Sequence, residues 1–203
     1  MNKEFLNYQT IRNNSIKLAH KIHEDGFIPD VIYVSLRGGA YMGNVISEYF
    51  KVVRRNQRPV FYAAVVARSY SDVREQENIR IDGWTYNPKY LRNVDRILLV
   101  DDIFDSGRTI NHLVNICLDK GIPRDDILIA VHDYKIRSFL KDQPPISPDY
   151  FCRKHLIGSP EEDTWVHYLS HELVGLSDAE IRENYGDDPD VVKLLIQLRK
   201  ERS

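Results

Sequence analysis

The stretch Ile97-Leu98-Leu99-Val100-Asp101-Asp102-Ile103-Phe104-Asp105-Ser106-Gly107-Arg108-Thr109 constrains this chain more than any other. Four apolar residues in a row suit a strand covered on both faces, the hallmark of a parallel sheet flanked by helices. Two carboxylates stand at its C-terminal end, where open α/β sheets place ligands. Asp105 to Thr109 then leads into a helical pattern over 110–118, and backbone N–H groups at such a turn form an anion site. The acids cannot bind phosphate themselves, so their expected partners are sugar hydroxyls, a divalent cation or a proton. Asp, Ser and Gly are also ordinary turn residues. It is their order behind a buried strand that carries the inference.

The rest of the chain repeats the alternation. A helix is expected over about 11–23, closed by Gly26 and Pro29, then a strand over Val31–Ser35 and a helix over Ala40–Phe50. A strand over Pro59–Val66 precedes a long polar segment, 67–93. After the helix over 110–120, ended by Gly121-Ile122-Pro123, comes a strand over Ile127–Val131. Strands alternating with helices predict an α/β fold with a doubly wound parallel sheet, and 203 residues fit one domain. Beyond Lys135 the pattern changes. Pro144, Pro145 and Pro148 break the chain, Thr164–Leu169 alternates like a peripheral strand, Ser177–Glu180 reads as a capping box, and Asp190–Arg199 as a closing amphipathic helix.

Composition narrows the class. A net charge of −2 argues against an electrostatic nucleic-acid binder. No run approaches the length of a membrane span, and Met1-Asn2-Lys3-Glu4 leads into no signal-peptide core, so a cytoplasmic location without membrane contact is expected. Cys117 and Cys152 are then expected to be reduced, structural thiols.

Asp101-Asp102-Ile103-Phe104-Asp105-Ser106-Gly107-Arg108-Thr109 after its strand resembles the phosphoribosyl-diphosphate (PRPP) motif of the type I phosphoribosyltransferases. Arg37-Gly38-Gly39, a plain turn if taken alone, resembles the diphosphate loop of the purine enzymes. There the glycines admit an anion, Arg37 supplies a charged fork, and the Leu36–Arg37 peptide is expected to be cis. Ser69-Tyr70 falls where the 6-oxopurine phosphoribosyltransferases carry a lid pair. Lys135 after a strand resembles their lysine for the purine O6, and Asp163-Thr164-Trp165-Val166 their strand with a Trp over the base. Without that context each is more often surface or core.

The resemblance, which spans about 11–172, implies a type I core with a small hood at about 136–172 and a helical tail at about 177–203. It implies transfer of 5-phosphoribose from PRPP to hypoxanthine, guanine or xanthine, with Mg2+ as cofactor and a homodimer or homotetramer as the assembly. Arg37, Gly38, Gly39, Ser69, Tyr70, Asp101, Asp102, Ser106, Gly107, Arg108 and Thr109 would bind PRPP. Lys135, Trp165 and Val166 would bind the purine, with Asp101, Asp102 and Glu172 at the metal and Asp105 as the catalytic base. The ending His167-Tyr168-Leu169-Ser170-His171-Glu172 departs from the aromatic-Pro-Trp-acid ending of the relatives, which leaves the base preference open. His167, His171 and Glu172 also suggest zinc, but without His-Glu-x-x-His spacing. Two other readings stand beside this one: an enzyme of the fold for another base, and a regulator that binds PRPP or nucleotide without turnover.

Overall fold

The computed structural model describes residues 2–55, 58–69, 79–140 and 145–201. Its centre is a six-stranded sheet in the order β4-β3-β2-β5-β6-β7. The strands are β2 (Val31–Leu36), β3 (Phe61–Ser69), β4 (Ile79–Trp84), β5 (Ile97–Phe104), β6 (Ile127–Arg137) and β7 (Tyr150–Ile157). All neighbours run parallel except β4, which is antiparallel to β3.

The two-residue period of a strand sends alternate side chains to opposite faces. Val31, Tyr33, Ile97, Leu99, Ile127 and Ile129 meet Ile110, Leu113, Val114 and Cys117 of α3 (Arg108–Asp119). Ile32, Val34, Leu98 and Val100 meet Leu18, Ala19 and Ile22 of α1 (Tyr8–Glu24) and Met42, Ile46 and Phe50 of α2 (Ala40–Val53). The sheet is therefore covered on both faces, as the apolar runs require. Burial pushes the thiols of Cys117 and Cys152 up to about 12, so both are poor nucleophiles.

A second, two-stranded sheet stands beside the first: β1 (Lys3–Leu6) pairs in parallel with β8 (Trp165–Tyr168). Behind it, α4 (Asp178–Tyr185) and α5 (Pro189–Lys200) bury Ile181, Val192, Leu195 and Ile196 against Phe5. The capping box at α4 is formed as predicted, and its Glu180 also binds the Lys3 ammonium at 2.9 Å.

Several elements differ from the sequence reading. The polar segment contains β4, in which Ile79 and Ile81 alternate with Arg80 and Asp82 on an edge strand, and Trp84 packs edge-on against Tyr33 at 4.9 Å. β5 continues to Phe104 and β6 to Arg137, so Asp101, Asp102 and Lys135 lie within strands rather than beyond them. β1 and β7 were not anticipated; each forms against a partner strand distant in sequence. Tyr70 and the side chain of Ser69, the expected lid pair, lie outside the described residues.

Candidate active site

Two loops meet at the C-terminal end of β5. The first follows β2, and its Leu36–Arg37 peptide is cis, as expected. A Cβ at Gly39 would sit 2.8 Å from the Val100 carbonyl oxygen and 2.9 Å from Asp101 Cα, both backbone atoms, so only glycine lets this loop close onto the acidic strand end. The second is Asp105-Ser106-Gly107, entering α3. Gly107 has φ +74°, and a Cβ there would strike the Phe104 ring at 2.3 Å. Gly107, the N-cap of α3, offers no capping side chain, and the first turn holds no acid, which suits this helix start to an anion. Arg108 and Thr109 form that first turn.

The adjacent acids differ sharply. Asp101 lines neither of the cavities at this end of the sheet. Burial, then the neighbouring Asp102 carboxylate, pushes its pKa well above the usual carboxylate range, and it hydrogen-bonds Ser35 and Asp102. Placed so, Asp101 can orient its neighbour through that hydrogen bond. Asp102 faces outward: it lines both cavities, and its Oδ2 lies 3.3 Å from His171 Nε2. The Ser170 hydroxyl is 3.1 Å from His171 Nδ1 and can donate to that nitrogen, which places the ring proton on Nε2, the side of Asp102.

A cavity of about 240 Å³ lies between β5, β6 and β8, lined by Asp102, Asp105, Lys135, Arg137, Asp163, Trp165, Val166 and Glu172 among others. Lys135 is nearly buried; its ammonium donates to Asp163 Oδ1 at 2.7 Å and to the Thr164 carbonyl at 2.8 Å. That leaves one N–H of the three without either of those partners. Arg137 bridges the site. Its Nε donates to Asp163 Oδ2 at 2.6 Å, its Nη2 to Asp105 Oδ1 at 2.5 Å, and its Nη1 to the Asp105 carbonyl at 3.1 Å. Partial burial would raise the Asp163 pKa, but hydrogen bonds from Arg137 and Lys135 outweigh it and hold this carboxyl below the usual range. Trp165 is 49% exposed, its ring partly open to solvent, whereas the Val166 side chain is buried against Leu6 and Ile11.

A neighbouring cavity of about 720 Å³ shares Asp102, Trp165 and Glu172 and adds Arg37, Gly38, His167 and His171. Glu172 is held by hydrogen bonds from the Tyr168 backbone N–H at 3.2 Å and Trp165 Nε1 at 3.3 Å, with His167 Nδ1 also 3.3 Å away. It thus anchors the Trp165 indole as well as lining the cavity.

Beneath the site is a polar node that the sequence reading missed. Asp133 is fully buried and accepts from His132 Nδ1 and the Tyr168 hydroxyl at 2.7 Å, and from His155 Nε2 and Arg153 Nε at 2.6 Å. Asn14 Nδ2 donates to His132 Nε2 at 3.1 Å, fixing the tautomer. The Tyr168 oxygen is also 3.1 Å from the Asp102 carbonyl, and its ring stacks on His171 at 5.5 Å. Missed too was Arg137, for which a charged residue two positions after Lys135 was the available signal, whereas His171 was weighed only as a zinc ligand and not as a neighbour of Asp102.

The phosphoribosyl transferase domain family matches residues 1–148 of the chain. The chain belongs to this family. Phosphoribosyl transfer is therefore the chemistry of the chain, and the two glycine loops and acidic strand end are where it is expected. This phosphoribosyltransferase is 24% identical over 193 residues to the Bifunctional protein PyrR of Halalkalibacterium halodurans, covering 90% of this chain and 98% of the relative. It is 23% identical over 154 residues to the xanthine phosphoribosyltransferase of Bifidobacterium adolescentis, covering 62% and 79%. The fold matches that of the purine phosphoribosyltransferase of Pyrococcus horikoshii with a TM-score of 0.64 at 20% identity, over 87% of this chain and 99% of the other. Among the described residues, no helix of the phosphoribosyltransferase is long and apolar enough to cross a membrane.

Proposed function

We propose that this phosphoribosyltransferase transfers the 5-phosphoribosyl group of PRPP to a 6-oxopurine, hypoxanthine, guanine or xanthine, giving the purine 5′-monophosphate and diphosphate. The observation that carries the reading is the 240 Å³ cavity, where a half-exposed indole, a nearly buried ammonium and the Asp105 carboxylate converge. An aromatic face beside a hydrogen-bond donor suits a flat heterocycle with an exocyclic carbonyl. On this reading Trp165 stacks on the purine, the remaining Lys135 N–H meets O6, and the Val166 main chain reads the base edge.

The sugar carbon passes through an oxocarbenium-like transition state. The Asp102 carboxylate holds the ribose hydroxyls and favours the cationic sugar. Ser106, Gly107, Arg108 and Thr109 cradle the 5′-phosphate at the start of α3, and Arg37, Gly38 and Gly39 the diphosphate. Asp105 takes the N7 proton as N9 attacks. Asp102 and Glu172, few carboxylates beside a phosphate site, fit magnesium's preferences. When bound there, the ion would neutralise charge on the leaving diphosphate.

The test is diphosphate release with Mg2+, PRPP and each of the three oxopurines, with adenine as control. Turnover of at least one oxopurine and none of adenine is expected. The likeness to PyrR, extending over 90% of the chain, raises a second reading, an enzyme for another base or a regulator. Turnover of uracil or orotate alone would establish the former, and tight PRPP binding with no turnover of any base the latter.

A further inference from the structure

At the opposite end of the sheet, α1 carries His20, His23 and Glu24 in its last turn and a half. The i, i+3 and i+4 positions of a helix share one face. One ring nitrogen of each histidine and a Glu24 carboxylate oxygen lie within 4.8 Å of one another, a spacing three ligands of a single ion can meet. It is the only such grouping of three among the described residues. The three belong to no part of the PRPP or purine site: the chain leaves α1 at Asp25 and enters β2 at Val31, so they sit beside the N-terminal ends of the strands.

A second observation singles out these imidazoles. The Tyr49 hydroxyl of α2 lies 2.9 Å from His20 Nδ1 and 3.2 Å from His23 Nδ1. Tyr49 itself packs against the core and, edge-on, against Phe50 at 5.5 Å. A hydroxyl has one proton, so at most one ring can accept from it. The other must donate its Nδ1–H to the tyrosine oxygen, so of the two neutral rings only this one has a bare Nε2, and the accepting ring gives up its Nε2 proton when an ion binds. A partner on one ring nitrogen that fixes tautomer and ring orientation is the usual support of a metal-binding histidine. The backbone beneath is firm, because Leu18, Ala19 and Ile22 are buried in the core.

We propose that His20, His23 and Glu24 bind one divalent ion of the zinc class. Two imidazoles and one carboxylate suit zinc, cobalt, nickel or copper, whereas magnesium and calcium prefer oxygen donors throughout. Three protein ligands leave a coordination position for water. This site is separate from the magnesium expected beside Asp102 and does not rest on the phosphoribosyl reading.

The test is calorimetric titration of the untagged, chelator-treated full chain with ZnCl2 in the presence of excess Mg2+, with the Co2+ absorption spectrum as a second readout. The expected result is one ion per chain, bound at least tenfold more weakly by His20→Ala and by His23→Ala at unchanged circular dichroism. Tyr49→Phe should weaken it about tenfold, the usual cost of losing an outer partner. No zinc binding, or binding that both histidine variants retain at full strength, would overturn the proposal. In the second case the ion sits elsewhere, and His171 beside Asp102 is the place to look.

Discussion

Asp105 is the residue on which the proposed chemistry turns, and Arg137 is the residue that holds it. Asp105 is half exposed, so nothing but its partners fixes the carboxylate. Arg137 grips both its side chain and its carbonyl while its other edge is tied to Asp163. Replacing Asp105 by Asn should lower kcat by about 10²–10⁴-fold, the usual worth of a general base. Arg137→Met leaves the base but frees it, and misplacement of a reacting group costs on the order of 10²-fold. Steady-state kinetics on both variants checks this; kcat within a factor of two of wild type in either would end that role. Trp165 should behave differently. Base–aromatic stacking is worth about 1–3 kcal/mol, so Trp165→Ala should raise KM for the purine by roughly 5- to 150-fold with little change in the KM for PRPP. Its exposed ring means the substitution opens no core cavity.

At the scale of the element, the central strands and β8 were legible, and β1, β4 and β7 were not. β2, β5 and the start of β6 are buried on both faces, and each announces itself as an apolar run. Lys3-Glu-Phe-Leu has no such pattern; it is a strand because β8 offers hydrogen bonds to it. β7 reads as polar because Arg153 and His155 serve Asp133, not a hydrophobic face, and Lys154 between them is exposed. Glycines and acids at a strand end betrayed the two loops beside the site by local order. The Asp133 node joins β6, β7, β8 and α1, whose residues lie far apart in the chain, and no local pattern encodes it. It makes a strong prediction. Asp133→Ala would leave Arg153 beside a buried void, take the Nδ1 partner from His132, and leave the Tyr168 hydroxyl only the Asp102 carbonyl. Breaking a buried charge pair from one side costs about 3–5 kcal/mol. Urea unfolding at neutral pH should show a loss of that order; a loss below 1 kcal/mol would mean the node is not a structural keystone.

Across the whole molecule, two buried carboxyls oppose each other as pH changes. Burial alone would raise Asp133, but hydrogen bonds from His132, Tyr168 and His155 reverse this and hold it below the usual range. Its contribution to stability is therefore complete above the unfolded value, near 3.9, and is lost as pH falls below it. Asp101 has the contrary sign. Its folded pKa is raised, so the native state binds more protons than the unfolded chain, and stability declines as pH climbs from about 4 towards that raised value. Asp101→Asn separates the two. An amide keeps an oxygen for the Asp102 N–H, 3.0 Å away, and a donor for its neighbours, yet carries no charge to desolvate. The variant should therefore melt higher than wild type at pH 8, with the gap closing towards pH 4, when both are scanned without PRPP or Mg2+. The Asp133 loss below pH 4 should be the same in both proteins. Superimposable melting curves from pH 5 to 8 would show that Asp101 ionises freely, and that the acidic strand end presents two charges to the substrate rather than one.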